Sequence, residues 1–376
     1  MKTLAMVFGL ALAACASGVT EPSQDTVEAA QGDNQFSIVS VGSHVHVFTQ
    51  GNAFHLQPRG NVEVIEQNDG LVLVDSGGSP AGAEEVIAWI RAHTQKPVTA
   101  IVLTHWHGDH TLGLGRLLEQ WPRARVISTP QTRDMLASPA ANRFMPGDEA
   151  DANQRYNTNN NGNVEYLQRA GQDQALPAPI RAGFASEAPL FARFAREMRT
   201  ISHRAIPTET VTEQLTLADR TTPVEVHYFG RANTEGDAIV WLPRQRVAIV
   251  GDILVEPIPY GFNSYPRQWI DVLARVKALN FSTIVPGHGL PLHDSVYLDA
   301  VSTMLASVRT QTASIAADTS ITNENVGARI DLSQHQAQFA HDDAWLRMWF
   351  NNYWHDPIAS SALREARGQP IVQGSS

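Results

Sequence analysis

Residues 104–110 read Thr104-His105-Trp106-His107-Gly108-Asp109-His110 and place three imidazoles and one carboxylate within six residues. Such crowding is costly without a ligand, because neighbouring imidazoles disfavour each other's protonation. A divalent cation supplies the charge that compensates all four side chains together. The segment therefore predicts a metal site.

The spacing of these side chains predicts two adjacent ions. His105 and His107 lie two residues apart on extended chain, so they point the same way and can chelate one ion. Asp109 and His110 lie where the chain bends toward a helix expected to begin near Thr111, and they can face a second ion.

Four short apolar runs, each typical of a strand buried on both faces, end in polar residues. The runs cover residues 71–74, 100–103, 247–250 and 283–285, and the polar residues that follow them include Asp75, His105, Asp252 and His288. Proteins of the α/β class place their sites beyond the carboxyl ends of core strands. We therefore expect these chain-distant residues to converge on segment 104–110.

The remaining pattern predicts an antiparallel opening and two helical regions. Alternation over residues 36–50 and a turn at 68–70 indicate strands and a hairpin. From residue 131 to 207 the pattern breaks, which indicates a helical insertion with a polar loop over 157–163 and a helix face formed by Leu190, Phe191, Phe194 and Met198.

Residues 297–376 are predicted to form a C-terminal helical extension. The extension carries an aromatic cluster made of Trp345, Trp349, Phe350, Tyr353 and Trp354. For each of these residues, packing in the core of a helical cap is favoured over direct contact with a substrate.

Charge and cysteine content narrow the function. The formal net charge is -10 and no run of five like charges occurs, so we expect no nucleic acid or anionic membrane surface as a partner. The single cysteine is Cys15, close to the N-terminus. Metal ligands in the rest of the chain must therefore be histidine, carboxylate or amide.

The N-terminus has the composition of an export signal. A short cationic start precedes an apolar run over residues 4–14 that is too short to span a bilayer. The run ends in Leu12-Ala13-Ala14-Cys15, which resembles the bacterial lipobox and implies lipidation of Cys15; the alternative is ordinary cleavage after Ala16. We predict a signal over 1–18, a flexible tether over 19–35, and an exported lipoprotein of the bacterial periplasm or outer membrane, attached to the membrane only through its lipid.

Segment 104–110 resembles the His-x-His-x-Asp-His signature of the metallo-β-lactamase superfamily. The resemblance extends from about Gly60 to Leu292, through the blocks 74–77, 230–237, 250–252 and 286–289. It implies an α/β fold of the αββα type over residues 36–296, in which helices cover two mixed β-sheets and the metals lie at one edge.

The same resemblance implies the ligand sets. Asp109, His110 and His288 are implied for the second metal, with Asp252 bridging, and His105 and His107 for the first. The third first-site histidine of the family's Gly-x-x-His-Thr-x-Gly-Asp block is Asn233 here. Because an amide oxygen is a weaker zinc ligand than imidazole, three outcomes stay open: two ions with a weak Asn233 ligand, one ion at the second site, or loss of catalysis.

The expected function is a zinc-dependent hydrolase that uses metal-bound hydroxide to cleave an ester, thioester or amide bond, including β-lactams, in a small molecule. Asp109 or Asp252 would orient the hydroxide and relay a proton, and Asp75 would orient a ligand. The aromatic residues of the loop after Asp252, namely Tyr260, Phe262 and Tyr265, are predicted either to form one wall of the substrate pocket or to pack in the core. The alternative is a catalytically weakened, membrane-anchored protein that binds a metal or a ligand.

Overall fold

The computed structural model describes residues 25–31, 35–143, 145–147, 150–201 and 204–373. The predicted export signal and Cys15 lie outside the described residues. Within the described ranges, no helix combines the length and apolar character needed to cross a membrane.

The fold contains two mixed β-sheets. The larger sheet has eight strands in chain order, antiparallel from β1 to β5 and parallel from β5 to β8. Its strands are β1 (Thr26–Glu28), β2 (Ser37–Val41), β3 (Val45–Thr49), β4 (Val62–Glu66), β5 (Leu71–Val74), β6 (Val98–Val102), β7 (Arg125–Ser128) and β8 (Glu209–Thr210). The hairpin predicted at residues 68–70 joins β4 and β5.

The smaller sheet has five strands in the order β13, β12, β11, β10, β9. Only the β12–β13 pair is parallel. The strands are β9 (Gln214–Leu217), β10 (Val224–Tyr228), β11 (Ala238–Leu242), β12 (Val247–Ile249) and β13 (Thr283–Val285).

Helices flank the sheets and form the insertion and the C-terminal region. Before β9 they are α1 (Pro80–His93), α2 (Gly108–Thr111), α3 (Leu114–Gln120), α4 (Pro130–Ala137), α5 (Ala150–Ala170) and α6 (Ala178–Glu197). After β12 they are α7 (Pro266–Ala278), α8 (Val296–Ile315), α9 (Ser333–Ala340), α10 (Ala344–Trp349), a π-helical segment (Phe350–His355) and α11 (Asp356–Ala366). Short 3₁₀ turns cover Pro139–Arg143, Met198–Thr200, Gly251–Ile253 and Gly327–Arg329.

Three apolar clusters fill the layers between these elements. Valines of both sheets, such as Val47 and Val240, pack together in the middle layer. Outside the larger sheet, α1 and α3 bury residues such as Ile87 and Leu117, and outside the smaller sheet α7 and α8 bury residues such as Trp269. This order of helix, sheet, sheet and helix confirms the predicted αββα sandwich.

The insertion contains a longer helix than the sequence pattern predicted. Residues 157–163, predicted to be a polar loop, lie inside α5, so that prediction is wrong. Although asparagine is a poor helix former, α5 packs along α6 and buries Ala152, Asn160 and Leu167, and this tertiary packing outweighs local propensity. The predicted helix face is also wrong for Leu190. This residue is exposed on α6, whereas Phe191, Phe194 and Met198 are buried.

Part of the segment predicted to be a flexible tether, residues 19–35, forms a β-strand. Thr26–Glu28 form β1, which pairs antiparallel with β2 at the edge of the larger sheet. The exposed backbone of an edge strand offers hydrogen bonds to any segment that can lie beside it, and this segment uses them despite its polar side chains.

A buried ion pair connects the insertion to the sandwich. Arg59, which is buried, pairs with Glu197 at the end of α6 and also donates to Gln35 Oε1 at 2.8 Å. Ser79 donates to Glu197 at 3.1 Å and accepts from Gly82 N at the start of α1. The Glu197 carboxylate therefore connects the end of α6 both to Arg59 and to Ser79 at the start of α1.

We expect Glu197→Gln to lower the free energy of unfolding by about 3 kcal/mol, because it leaves the buried Arg59 guanidinium without a counter-charge. The matched control is Glu165→Gln on α5, whose exposed side chain pairs with Arg169 at 3.7 Å; it should change stability by less than about 0.5 kcal/mol. Urea denaturation measures both variants. Equal losses would contradict the role of this ion pair.

Candidate metal centre

The strand ends converge as the sequence predicted. Segment 104–110 leaves β6, and His107 is the N-cap residue of the short helix α2. Asp75 follows β5 in the larger sheet, whereas Asp252 and His288 follow β12 and β13 in the smaller one. The site therefore lies where the carboxyl ends of both sheets meet.

Four side chains form one group of potential metal ligands, with ligand atoms all within 4.8 Å of one another: Asp109, His110, Asp252 and His288. His110 Nε2 lies 3.1 Å from Asp252 Oδ1 and 3.2 Å from His288 Nε2. His288 Nε2 lies 3.0 Å from Asp109 Oδ2. The set contains two imidazoles and two carboxylates, which suits a divalent transition metal.

A second group of potential ligands adjoins the first and consists of His105, His107 and Asp252. His105 Nε2 lies 3.5 Å from Asp252 Oδ2, and His107 Nδ1 lies 4.0 Å from the same oxygen. Asp252 thus turns one carboxylate oxygen to each group. A carboxylate in this position can bridge two cations.

The surroundings of Asp252 fit a cation. The residue is 1% exposed, and neither of its oxygens has a hydrogen-bond partner in the described part of the chain. Burial opposes ionisation, but His110, His288 and His105 outweigh it and hold the pKa of this carboxyl well below its usual range. A buried, ionised carboxylate among imidazoles has the chemistry expected of a metal ligand.

Asp75 orients the histidines rather than joining a ligand group. Its Oδ2 lies 2.7 Å from His110 Nδ1, and its Oδ1 accepts from the Thr104 backbone N–H at 2.8 Å. The Thr104 hydroxyl donates to Asp75 Oδ2 and lies 3.0 Å from His105 Nδ1. Both imidazoles are therefore held by Nδ1, which leaves Nε2 of each turned toward Asp252.

Two glycines allow the close packing of the ligands. A Cβ at Gly60 would lie 2.5 Å from the His110 ring, and a Cβ at Gly287 would lie 2.1 Å from Asp252 Oδ1. No side chain fits at either position without moving a ligand. Gly60 is the start of the stretch that resembles the family, and Gly287 falls within the block 286–289.

Asn233 lies buried beside the loop that follows Asp252. Its amide nitrogen donates to the Tyr260 carbonyl at 2.8 Å, and its Oδ1 has no hydrogen-bond partner among the described residues. His227, a conceivable substitute ligand, lies instead on β10, with Nε2 3.0 Å from Glu225. The role of Asn233 as a ligand stays a prediction.

The three aromatic residues predicted for the substrate pocket separate into two places. Tyr260 lies beside the site, its ring 5.6 Å from the ring of His288, and Phe262 packs edge-on against Tyr353 at 5.2 Å. Tyr265 lies elsewhere, with its ring 4.6 Å from the Arg231 guanidinium.

Two tyrosines near the site were not predicted as part of it. Tyr353 in the π-helical segment lies 5.4 Å from Tyr260 between ring centroids, and Tyr156 projects from α5. Burial raises the pKa of both phenols, and the Asp109 carboxylate raises it further. The aromatic cluster signalled Tyr353, but no local pattern brings Tyr156 to Asp109.

The C-terminal tail, which we define as residues 367–373 after α11, reaches the rim of the site. Gln373 accepts a hydrogen bond from Trp106 Nε1 at 3.1 Å and donates to the Asn263 carbonyl. The Trp106 ring packs 4.5 Å from the ring of His107. The tail therefore holds a residue that contacts a potential ligand.

Comparisons with known proteins agree with this geometry. A family model described as "Metallo-beta-lactamase superfamily" matches residues 58–288. A type 2 metallo-β-lactamase from Bacillus sp. (strain 170) is 23% identical over 261 residues, covering 67% of this chain and 76% of that protein.

Alkylsulfatases are also among the similar proteins. A linear primary-alkylsulfatase from Pseudomonas sp. is 22% identical over 336 residues, covering 82% of this chain and 56% of that protein. A solved stereoselective inverting sec-alkylsulfatase from Pseudomonas sp. superposes with a TM-score of 0.59 at 15% identity, covering 87% of this chain and 50% of the other. The chain thus spans only about half the length of these alkylsulfatases, and the structural likeness shows a shared fold.

We expect Asp75→Asn to weaken metal binding by about 10- to 100-fold. With Oδ1 still accepting from Thr104 N–H, the new amide nitrogen would donate to His110 Nδ1 and so force the proton onto Nε2, which could no longer bind a metal. Asparagine tolerates the left-handed backbone of Asp75 (φ 58°), so the fold should persist.

Competition with a chromophoric chelator measures the affinity. Asp69→Asn, in the exposed turn between β4 and β5, is the control and should bind metal like the wild type. Equal affinities for all three proteins would show that Asp75 does not orient His110.

Proposed function

Because this chain belongs to the metallo-β-lactamase superfamily, we propose that it is a zinc-dependent hydrolase of a small molecule. The bond cleaved is an ester, thioester or amide bond, β-lactams included. The observation that carries the proposal is the pair of adjacent ligand groups that share Asp252. When bound there, zinc lowers the pKa of a coordinated water to about 7 and polarises a substrate carbonyl.

Asp109 is the residue proposed to move the proton. Burial opposes its ionisation, but His110 and His288 hold the pKa of its carboxyl below the usual range, so it is ionised at neutral pH. Its side chain is 16% exposed, compared with 1% for Asp252. Because Asp109 is ionised and more exposed than Asp252, it is the carboxylate proposed to hydrogen-bond the attacking water and to pass its proton to the leaving group, while Asp252 holds charge.

The tyrosines supply the proposed substrate contacts. Burial raises the pKa of Tyr156, Tyr260 and Tyr353, so their phenols are neutral. The Tyr353 hydroxyl already donates to the Leu56 carbonyl, and Tyr156 is hydrogen-bonded to Asn160. Tyr260, beside His288, is therefore the phenol proposed to donate to a substrate oxygen. Phe262 is 42% exposed and packs against Tyr353, which forms an apolar rim. These side chains support a substrate that carries an apolar group next to the bond that is cleaved.

A second candidate is hydrolysis of an alkyl sulfate ester. The similarity to the linear primary-alkylsulfatase covers 82% of this chain, a larger share than the similarity to the type 2 metallo-β-lactamase. An apolar rim beside the site suits an alkyl chain as well as an acyl group.

We propose that Asn233 is the weak third ligand of the first zinc. Its amide is fixed by the hydrogen bond to Tyr260, and its buried Oδ1 is left without a partner among the described residues. A neutral oxygen in this position binds zinc less tightly than imidazole. We also propose export and lipidation at Cys15, on the sequence of residues 1–15.

We expect the purified chain to hold about two zinc ions, one of them readily lost to a mild chelator. Asn233→His should tighten the weaker ion by about tenfold, since an imidazole is the stronger donor, and Asn233→Ala should weaken it further. Elemental analysis and chelator titration measure both effects. Unchanged affinity in both variants would show that Asn233 is not a ligand, and absence of any metal after growth with zinc would refute the metal centre.

A substrate screen tests the reaction class. The panel contains a chromogenic cephalosporin, an aryl ester, a thioester, a lactone, a phosphodiester and an alkyl sulfate. Turnover of one class should fall by about 100-fold or more in Asp109→Asn, which cannot accept the proton. Asp134→Asn, an exposed carboxylate next to Arg133, should keep full activity. Unchanged turnover in Asp109→Asn would contradict its catalytic assignment, and no turnover by the zinc-loaded protein would favour the binding-protein alternative.

A further inference from the structure

A cavity outside the candidate metal centre lies between α7, α8, α11 and the C-terminal tail. Its volume is about 440 Å³, within the range of small-molecule sites. None of the potential metal ligands among the described residues lines it. Three arginines do, and we call it the arginine cavity after them: Arg231, Arg267 and Arg309.

The three arginines differ in their contacts. Arg231 stacks on the Tyr265 ring, donates to Gln268 Oε1 at 3.2 Å and lies 3.8 Å from Glu235. Within the described part of the chain, the guanidinium groups of Arg267 and Arg309 have no hydrogen bond and no acidic group within 4.0 Å. Two cations that line one cavity are thus free to bind an anion.

One acidic side chain lines the cavity with them. Glu365 accepts a hydrogen bond from the Arg267 backbone N–H at 3.0 Å, near the start of α7. Burial raises the pKa of Glu365, and the three arginines together oppose the increase. A single carboxylate facing three guanidinium groups leaves an excess of positive charge, in a chain whose net charge is -10.

Apolar side chains also line the cavity, beside the polar residues Gln268, Thr312 and Gln369. The side chains with apolar surface include Tyr265, Ala313, Ala362, Pro370 and Ile371. An inorganic ion would leave this surface uncovered. A ligand with a charged head and an apolar body would cover it and gain from its burial.

We propose that the arginine cavity is a binding site for a small organic oxyanion with an apolar group, separate from the metal centre. A carboxylate, sulfate or phosphate head would lie between Arg267 and Arg309, whose planar guanidinium groups bind such heads through paired hydrogen bonds. The apolar group would lie against Ala313 and Ile371. The proposal does not depend on the reaction carried out at the metal centre.

Isothermal titration of the full chain with hexanoate, hexyl sulfate and hexyl phosphate tests the proposal, with inorganic sulfate and phosphate as head-only probes. We expect at least one hexyl probe to bind one to one, and the matching inorganic ion to bind at least about tenfold more weakly. Binding of no hexyl probe would overturn the proposal. Equal binding of a hexyl probe and its inorganic ion would show that the apolar wall plays no part, which also contradicts it.

Three variants locate the binding. Arg267→Gln and Arg309→Gln should each weaken binding by about tenfold or more, because each removes a charge-assisted contact. Ala313→Trp should abolish binding by filling the cavity while keeping every charge. Arg169→Gln is the control, since it removes an exposed arginine of α5 and should leave binding unchanged. Retained affinity in all three cavity variants would overturn the site.

A further titration separates this site from the metal centre. Asp109→Asn should bind the hexyl probe with wild-type affinity, because Asp109 is not part of the arginine cavity. Loss of binding in that variant would place the ligand at the metal centre and refute a separate site.

Discussion

A carboxylate sealed inside a protein needs a compensating charge, and Asp252 imposes that requirement on the whole fold. It belongs to the smaller sheet, whereas three of the histidines that face it, His105, His107 and His110 at 3.1–4.0 Å, leave the larger one. The imidazoles offset the burial of this carboxylate only when they carry protons, and crowded imidazoles disfavour each other's protonation, so a cation is the better source of the compensating charge. Each sheet therefore contributes part of the candidate metal site. Segment 104–110 follows β6 of the larger sheet, and Asp252 and His288 follow β12 and β13 of the smaller sheet.

Asp75, Gly60 and Gly287 fix the positions of the potential ligands and are not members of either ligand group. Asp75 adopts a left-handed backbone (φ 58°) at the end of β5, so that one carboxylate meets both Thr104 and His110. Because Gly60 and Gly287 lack a side chain, the His110 ring can pack against the backbone of Gly60 and the Asp252 carboxylate against that of Gly287. The stability lost at such positions is offset by the buried valine layer between the sheets.

The family resemblance implied the sandwich, and the sequence predicted the converging side chains because strand ends and histidine spacing are local signals that topology then brings together. It failed for α5, where low helix propensity was outweighed by packing along α6, a contact that no local pattern encodes. Tyr156 was missed for the same reason. Tyr265 lies on a loop whose direction depends on the Tyr265 N–H bond to the Ala232 carbonyl, and this contact turns its ring toward Arg231.

The C-terminal tail joins the two candidate sites physically. Residues 368–371 line the arginine cavity, and Gln373, two residues further on, holds Trp106 and the Asn263 carbonyl. A ligand that shifts the tail must strain or break these hydrogen bonds, and the Trp106 ring packs on His107. Coupling between sites needs a contiguous element that both can bias. The tail lines the arginine cavity and contacts Trp106, whose ring packs on His107, so it is a contiguous element that touches both candidate sites.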